Sequence, residues 1–77
     1  MYKYTSVDGS LVFKVSTNKW HSGYRAIIRI YDNGKLSFTD KTLVCRLNKD
    51  DAIDDGKREV EWYIAPINNV KLALRML

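Results

Sequence analysis

The sequence predicts an α+β fold: an antiparallel β-meander of about five strands, counting an N-terminal hairpin, with one helix packed on one face and a short C-terminal helix or strand. Three observations lead there. Apolar and polar residues alternate on both sides of the turn signal Asp32-Asn33-Gly34, and a second turn signal, Val7-Asp8-Gly9, separates two further alternating runs. After Leu47 the apolar spacing lengthens from two residues to about 3.6, the helical period.

Taken in order, "MYKYT" and "SLVFKVS" flank the first turn signal, and Leu11, Phe13 and Val15 alternate with Val12, Lys14 and Ser16 as the strands of a hairpin do. The stretch "TNKWHSG" that follows has loop composition and holds Trp20 and His21. The central hairpin, "RAIIRIYDNGKLSF", admits two registers. A two-residue type I′ turn at Asn33-Gly34 mixes apolar and charged residues on both faces. A three-residue loop with Gly34 as a G1 bulge pairs Ile30 with Leu36 and Ile28 with Phe38, and gathers Tyr24, Ala26, Ile28, Ile30, Leu36 and Phe38 on one face. Because a one-residue slip turns every side chain over, burial of that apolar set selects the bulged register. A tight turn at Asp40-Lys41 then brings Thr39 opposite Thr42, Phe38 opposite Leu43 and Leu36 opposite Cys45. The expected strands are about 24–31, 35–39 and 42–47. The outward face reads Arg25, Ile27, Arg29, Tyr31, Lys35, Ser37, Thr39, Thr42, Val44 and Arg46, with no acid among them.

Asn48 is a good N-cap, Asp50 and Asp51 stand in the first turn where the helix dipole favours anions, and Asp51 occupies the third position of a capping box. Ala52, Ile53, Gly56, Val60, Tyr63 and Ile64 recur at helical spacing, Asp54 and Arg58 form an i,i+4 pair, and Pro66 marks an end, which predicts a helix over about 49–65. The alternation of Val60, Trp62 and Ile64 within "REVEWYI" offers a strand as the rival reading. The last segment, "INNVKLALRML", alternates like a strand yet is rich in helix formers. It either completes the core or makes an oligomer or partner contact.

Seventy-seven residues make one small domain, near the lower limit for a single apolar core. The single cysteine, Cys45, expected to point into the core, has no internal disulfide partner, and no Cys/His cluster supplies the ligands of a structural zinc, so no metal or cofactor is expected. No stretch approaches the roughly 18 apolar residues of a membrane span and the N-terminus lacks the apolar core of a signal peptide, so the expectation is a cytoplasmic protein without membrane contact. Thirteen Lys and Arg against nine Asp and Glu give +4, an excess that permits a polyanionic partner. Catalysis finds little support, because His21 is the only histidine and the carboxylates lack a partner base or a glycine-rich phosphate loop.

The strings "KW", "GYRAII", "GK" and "NKDDAI", set on a three-stranded meander followed by a helix, resemble the AP2-like DNA-binding domain shared by plant transcription factors and the arm-binding ends of some phage-type integrases, over about residues 19–64. The resemblance implies that the exposed sheet face enters the major groove. It carries base and phosphate contacts onto Arg25, Arg29, Lys35 and Arg46, with Trp20 before the first strand. Tyr31 adds a stacking surface or a phosphate-bonding hydroxyl. The function expected is a small non-enzymatic nucleic-acid-binding module, DNA foremost, of phage or mobile-element accessory type. The alternative is a protein-interaction module, an inhibitor or adaptor, that binds through the acidic helix (Asp54, Asp55, Arg58), Trp62 and the apolar C-terminal segment. Trp62 lies off the apolar stripe, and its expected place is under the C-terminal tail or at a partner.

Overall fold

The computed structural model describes the backbone of residues 1–75 and the side chains of residues 1–64. Four strands, β1 (Tyr2–Thr5), β2 (Leu11–Trp20), β3 (Gly23–Asp32) and β4 (Lys35–Lys41), form one antiparallel sheet in sequence order, and a single helix, α1 (Lys49–Arg75), follows. Alternation along the strands sets the sidedness. Phe13 and Val15 of β2 stand opposite Ile30 and Ile28 of β3, and these four cluster with Ala26 and with Val60 of the helix. Tyr2, Tyr4, Ile53, Tyr63 and Ile64 pack around that cluster. The helix lies very close to the sheet at Gly56, where a Cβ would come within 2.9 Å of the Ala26 Cβ and nearer still to Val15.

The central turn reconciles two local demands that the sequence analysis set against each other. Asn33 and Gly34 both have positive φ, at 50° and 84°, so the turn is the two-residue type, with Asp32 opposite Lys35 and Tyr31 opposite Leu36. Continued unbroken, that register would turn Phe38 away from the helix. A register shift at Ile30/Tyr31 inserts one residue into β4, so that Phe38 stands opposite Ile30 and its ring meets Tyr63 at 6.4 Å. The bulge therefore sits inside the strand instead of at the turn, and Leu36, expected inward, stands opposite Tyr31 and is exposed.

The shift has a second consequence. Asp40 and Lys41, the expected tight turn, still pair with Ile28 and Ile27, and the fifth strand does not form. Thr42 is buried instead: its hydroxyl accepts the Ala26 N–H at 2.9 Å and its own N–H donates to the Ala26 carbonyl at 3.0 Å. The chain then leaves the sheet and returns at one bridge, where Tyr24 and Arg46 exchange backbone hydrogen bonds of 2.7 and 2.8 Å. Cys45, expected in the core, is exposed on this excursion and its thiol donates to the Trp20 carbonyl at 3.3 Å.

Two other expectations move. The loop expected at "TNKWHSG" is mostly strand, because β2 pairs with β3 as far as Trp20 and Gly23, and a tight turn at His21-Ser22 holds His21 at a φ of 56°. The helix is set as expected by Asn48, whose side-chain carbonyl accepts the Asp51 N–H at 2.9 Å while its amide donates to the Asp51 carboxylate at 3.0 Å. It does not stop at Ala65 but runs through Pro66 to Arg75. A proline inside a helix lacks the N–H for one rung of the ladder and crowds the carbonyl four residues back, so the helix continues past Pro66 at a local cost. "REVEWYI" is helical, and the C-terminal segment through Arg75 belongs to the same helix; Met76 and Leu77 lie outside the described residues.

Candidate functional site

The face of the sheet turned away from the helix carries the side chains that alternate with the core residues. On it, Lys3 of β1, Lys14 of β2, Arg29 of β3 and Thr39 of β4 stand opposite one another in a single row across the sheet. The next row is Ser16, Ile27 and Lys41, followed by Asn18 and Arg25, and on the other side of the cations run Thr5, Val12, Tyr31 and Leu36. Five cations, Lys3, Lys14, Arg25, Arg29 and Lys41, thus share a face with no carboxylate at any of its strand positions.

The partners of Arg25, Arg29 and Lys14 are neutral. Arg29 donates to the Ser16 hydroxyl at 3.2 Å, and Arg25 donates to the Asn18 side-chain carbonyl at 3.3 Å. Arg25 also lies over the Trp20 ring at 4.8 Å, and the Lys14 ammonium over the Tyr31 ring at 4.9 Å. Beneath the charged heads the floor is apolar: Ile27 is only 8% exposed, although it faces away from the helix, and Val12 and Tyr31 are half-buried. The stems of the flanking Lys and Arg side chains are long enough to cover such a floor while their heads remain in water.

Among the described residues the ion pairs lie on the other side of the sheet. Asp55, 8% exposed, receives the Arg46 Nε at 2.8 Å, the Arg46 Nη2 at 3.1 Å and a further bond from Arg58. The Arg46 hydrogen bond is the main reason that the Asp55 carboxyl is held below its usual range, opposed by burial and helped by Arg58. Arg46 is reciprocally raised, first by the same hydrogen bond and then by the charge of Asp55. The Tyr63 hydroxyl donates to Asp40 at 2.7 Å, and burial, then that bond, pushes the phenol up to about 12. Both contacts fasten the helix to the β4 side of the sheet.

The residues proposed from sequence therefore divide. Arg25, Arg29, Tyr31 and Trp20 share the outer face. Lys35 stands opposite Asp32 at the turn, out of phase with Tyr31 and Leu36. Arg46 is drawn to the helix side by its bridge to Tyr24 and its pairing with Asp55. Of the helical set, Asp54 is exposed and meets Lys57, Asp55 and Arg58 are engaged together, and Trp62 is 77% exposed rather than covered by the tail, because the chain beyond it continues as helix. Lys3, Lys14 and Lys41 were not anticipated on the basic face. The signal for the first two was present, since Lys3 alternates with Tyr2 and Tyr4, and Lys14 with Phe13 and Val15.

The chain matches no protein-family model, no curated protein and no solved structure. Its own geometry thus carries the functional reading. Among the described residues, no group of three or more His, Cys, Asp or Glu side chains is placed to hold a metal ion, and no helix is long and apolar enough to cross a membrane. An open hollow of about 360 Å³, lined by Lys19, His21, Ser22, Gly23, Tyr24 and Leu47, sits at the β2–β3 turn, where the His21 ring lies 4.4 Å from that of Trp20.

Proposed function

We propose that this chain is a non-enzymatic nucleic-acid-binding module that uses the outer face of its sheet. One observation carries the reading: Lys3, Lys14 and Arg29 are directly opposed across three strands, with no carboxylate among them. Like charges opposite one another destabilise a sheet, so an isolated fold gains nothing from this row. A polyanion that lies across it converts the same repulsion into attraction and releases its own counterions. Arg25 and Lys41 extend the field along the face, while the ion-paired carboxylates remain on the side of the helix. Charge reversal at Arg29 together with Lys14 should abolish retention on heparin and binding to DNA or RNA while leaving the circular dichroism spectrum unchanged. Binding that survives the double reversal in a folded protein would refute the proposal.

A second reading, a protein-interaction surface, rests on a different observation. Trp62 is 77% exposed, and the excursion after β4 exposes Leu43 and Leu47 at 81% and 86%. Large exposed apolar side chains of this kind are common anchors of protein contacts. Under this reading Trp62→Ala abolishes capture of a protein partner and leaves heparin retention intact. Under the first, heparin retention depends on the outer face alone.

A further inference from the structure

We infer that the nucleic acid held by the outer face is single-stranded, with bases laid against Trp20 and Tyr31 and phosphates against the row of cations; the inference rests on the nucleic-acid reading of that face. The first argument is width. The major groove of B-DNA, about 12 Å wide, admits a helix or a two-stranded ribbon. Along the row from Lys3 to Thr39 this face is four strands across, and with neighbours about 4.8 Å apart its backbone there spans roughly 14 Å before any side chain is counted; only the β2–β3 end that carries Arg25 and Trp20 is as narrow as a two-stranded ribbon. Lys3 on the β1 edge shares its row with Lys14 and Arg29 on the two interior strands, so a ligand that meets all three must span three strands.

The second argument is the chemistry between the cations. A duplex offers phosphates, sugars and the edges of stacked bases, whereas an unpaired strand also offers the apolar faces of its bases to stacking. Here charge and ring alternate: Arg25 with Trp20 at one end, Lys14 and Arg29 in the middle with Ile27 as floor, and Tyr31 at the other end. Trp20 pairs with Gly23, and Tyr31 lies eight residues further along β3, so the two rings are separated by roughly 25 Å at about 3.3 Å per residue. That is room for several nucleotides between two stacking platforms. The cations that rest on the rings in the free protein sit on flexible stems and can move to phosphates when bases take their place. Binding by such a surface tolerates many base sequences, because every base has a π-face.

The experiment uses the full chain and labelled oligonucleotides of about 12 nucleotides, a length within the range of small single-strand binding sites. Oligo(dT), oligo(rU) and a mixed-sequence DNA duplex of equal length are titrated by fluorescence anisotropy at low salt. The expected result is at least tenfold tighter binding of one or both single strands than of the duplex. Trp20→Ala is expected to weaken single-strand binding by about tenfold, in the range that loss of one stacked base gives, and to leave the residual duplex binding unchanged. Trp62→Phe leaves Trp20 as the only tryptophan, and its emission should be quenched by the single strand and not by the duplex, a readout that needs no destabilising substitution. Equal or tighter duplex binding, or unquenched Trp20 emission with the single strand bound, overturns the single-strand inference and leaves the nucleic-acid reading standing. Failure of the wild-type chain to bind any of the three probes overturns both.

Discussion

Replacing Gly56 with alanine tests how the helix is seated, because two opposing effects of known size meet at that position. In an exposed helix interior the change would stabilise by about 1 kcal/mol, since glycine has the greater conformational freedom to lose. Here the new methyl would stand 2.9 Å from the Ala26 Cβ and closer still to Val15, under a helix that touches both. Neither neighbour can yield, because Val15 and Ala26 are both fully buried and Val15 is branched at Cβ. The helix must lift, and overpacking of a tight core costs typically 1–3 kcal/mol. With two clashes the upper part of that range applies, so the net loss is about 1–2 kcal/mol after the gain in helix propensity. A 77-residue domain has roughly 4–11 kcal/mol to lose, so the variant still folds. With a urea slope of about 1 kcal/mol/M, the midpoint should fall by about 1–2 M. Val15→Ala removes one of the clashing groups, and in that background Gly56→Ala should cost at least 1 kcal/mol less, a coupling that only direct contact gives. A midpoint that rises, as propensity alone dictates, or costs that add without coupling, would refute the close approach of helix and sheet.

The remaining predictions concern the charged groups. Asp55→Asn should lower stability at neutral pH by about 1–2 kcal/mol, read from urea melts, because it removes the negative charge and one of the two acceptor oxygens that Arg46 and Arg58 share, and sets an amide donor against a guanidinium. Since the folded protein holds the Asp55 carboxyl below its ordinary 3.8, the stability it supplies is present above that pH and is lost as pH falls through the lower folded value; this part of the acid unfolding should be missing in Asp55→Asn. Tyr63 has the opposite sense: its phenol is raised from 10.0 to about 12, so the contribution of the neutral form is present below pH 10 and fades as pH rises toward 12, and Tyr63→Phe should flatten the alkaline limb of stability against pH. If all five outer cations meet phosphates, the slope of log K against log salt for a single strand should be no steeper than about −3.5, at about 0.7 per contact, and a steeper slope would show that cations beyond this face take part.

Much of the architecture was legible because burial dictates it. The buried set of Ala26, Ile28 and Ile30 follows from alternation, as does the side on which the half-exposed Phe38 meets Tyr63, and the helix start follows from Asn48 and Asp51. The differences share a cause: local preferences compete, and the chain settles them together. Asn33-Gly34 favours a two-residue turn and Phe38 needs the helix face; treating these as rivals led to a bulge at Gly34, whereas the chain satisfies both by placing the extra residue at Ile30/Tyr31. That displacement carried Asp40 and Lys41 into the strand and removed the fifth strand built on a turn there. It also removed the alternation over 42–47 that sets Arg46 on the outer face, and Arg46 pairs instead with Asp55 on the helix. Pro66 disfavours helical geometry at Ala65 and costs the helix interior one hydrogen bond, and yet the helix continues through it to Arg75, which local sterics alone do not foretell.

The basic face survives all of these corrections for a geometric reason. Its row of Lys3, Lys14 and Arg29 depends on the pairing of β1 with β2 and of β2 with β3, whose registers run without interruption, whereas the errors lay in β4 and beyond. Opposed cations in adjacent strands each cost a few tenths of a kcal/mol in an isolated sheet. Lys3 sits on an edge strand, where a lysine also discourages pairing with a foreign strand, but Lys14 and Arg29 lie on the two interior strands, where that purpose does not apply. Solubility could be met as well by threonine or serine, both of which occupy neighbouring positions at Thr39 and Ser16. What threonine cannot supply is a field that reaches beyond the side chain, and under the proposed function that field is what draws an anionic partner. The cost is thus borne at the one place on the sheet where a polyanion could lie flat across three strands at once.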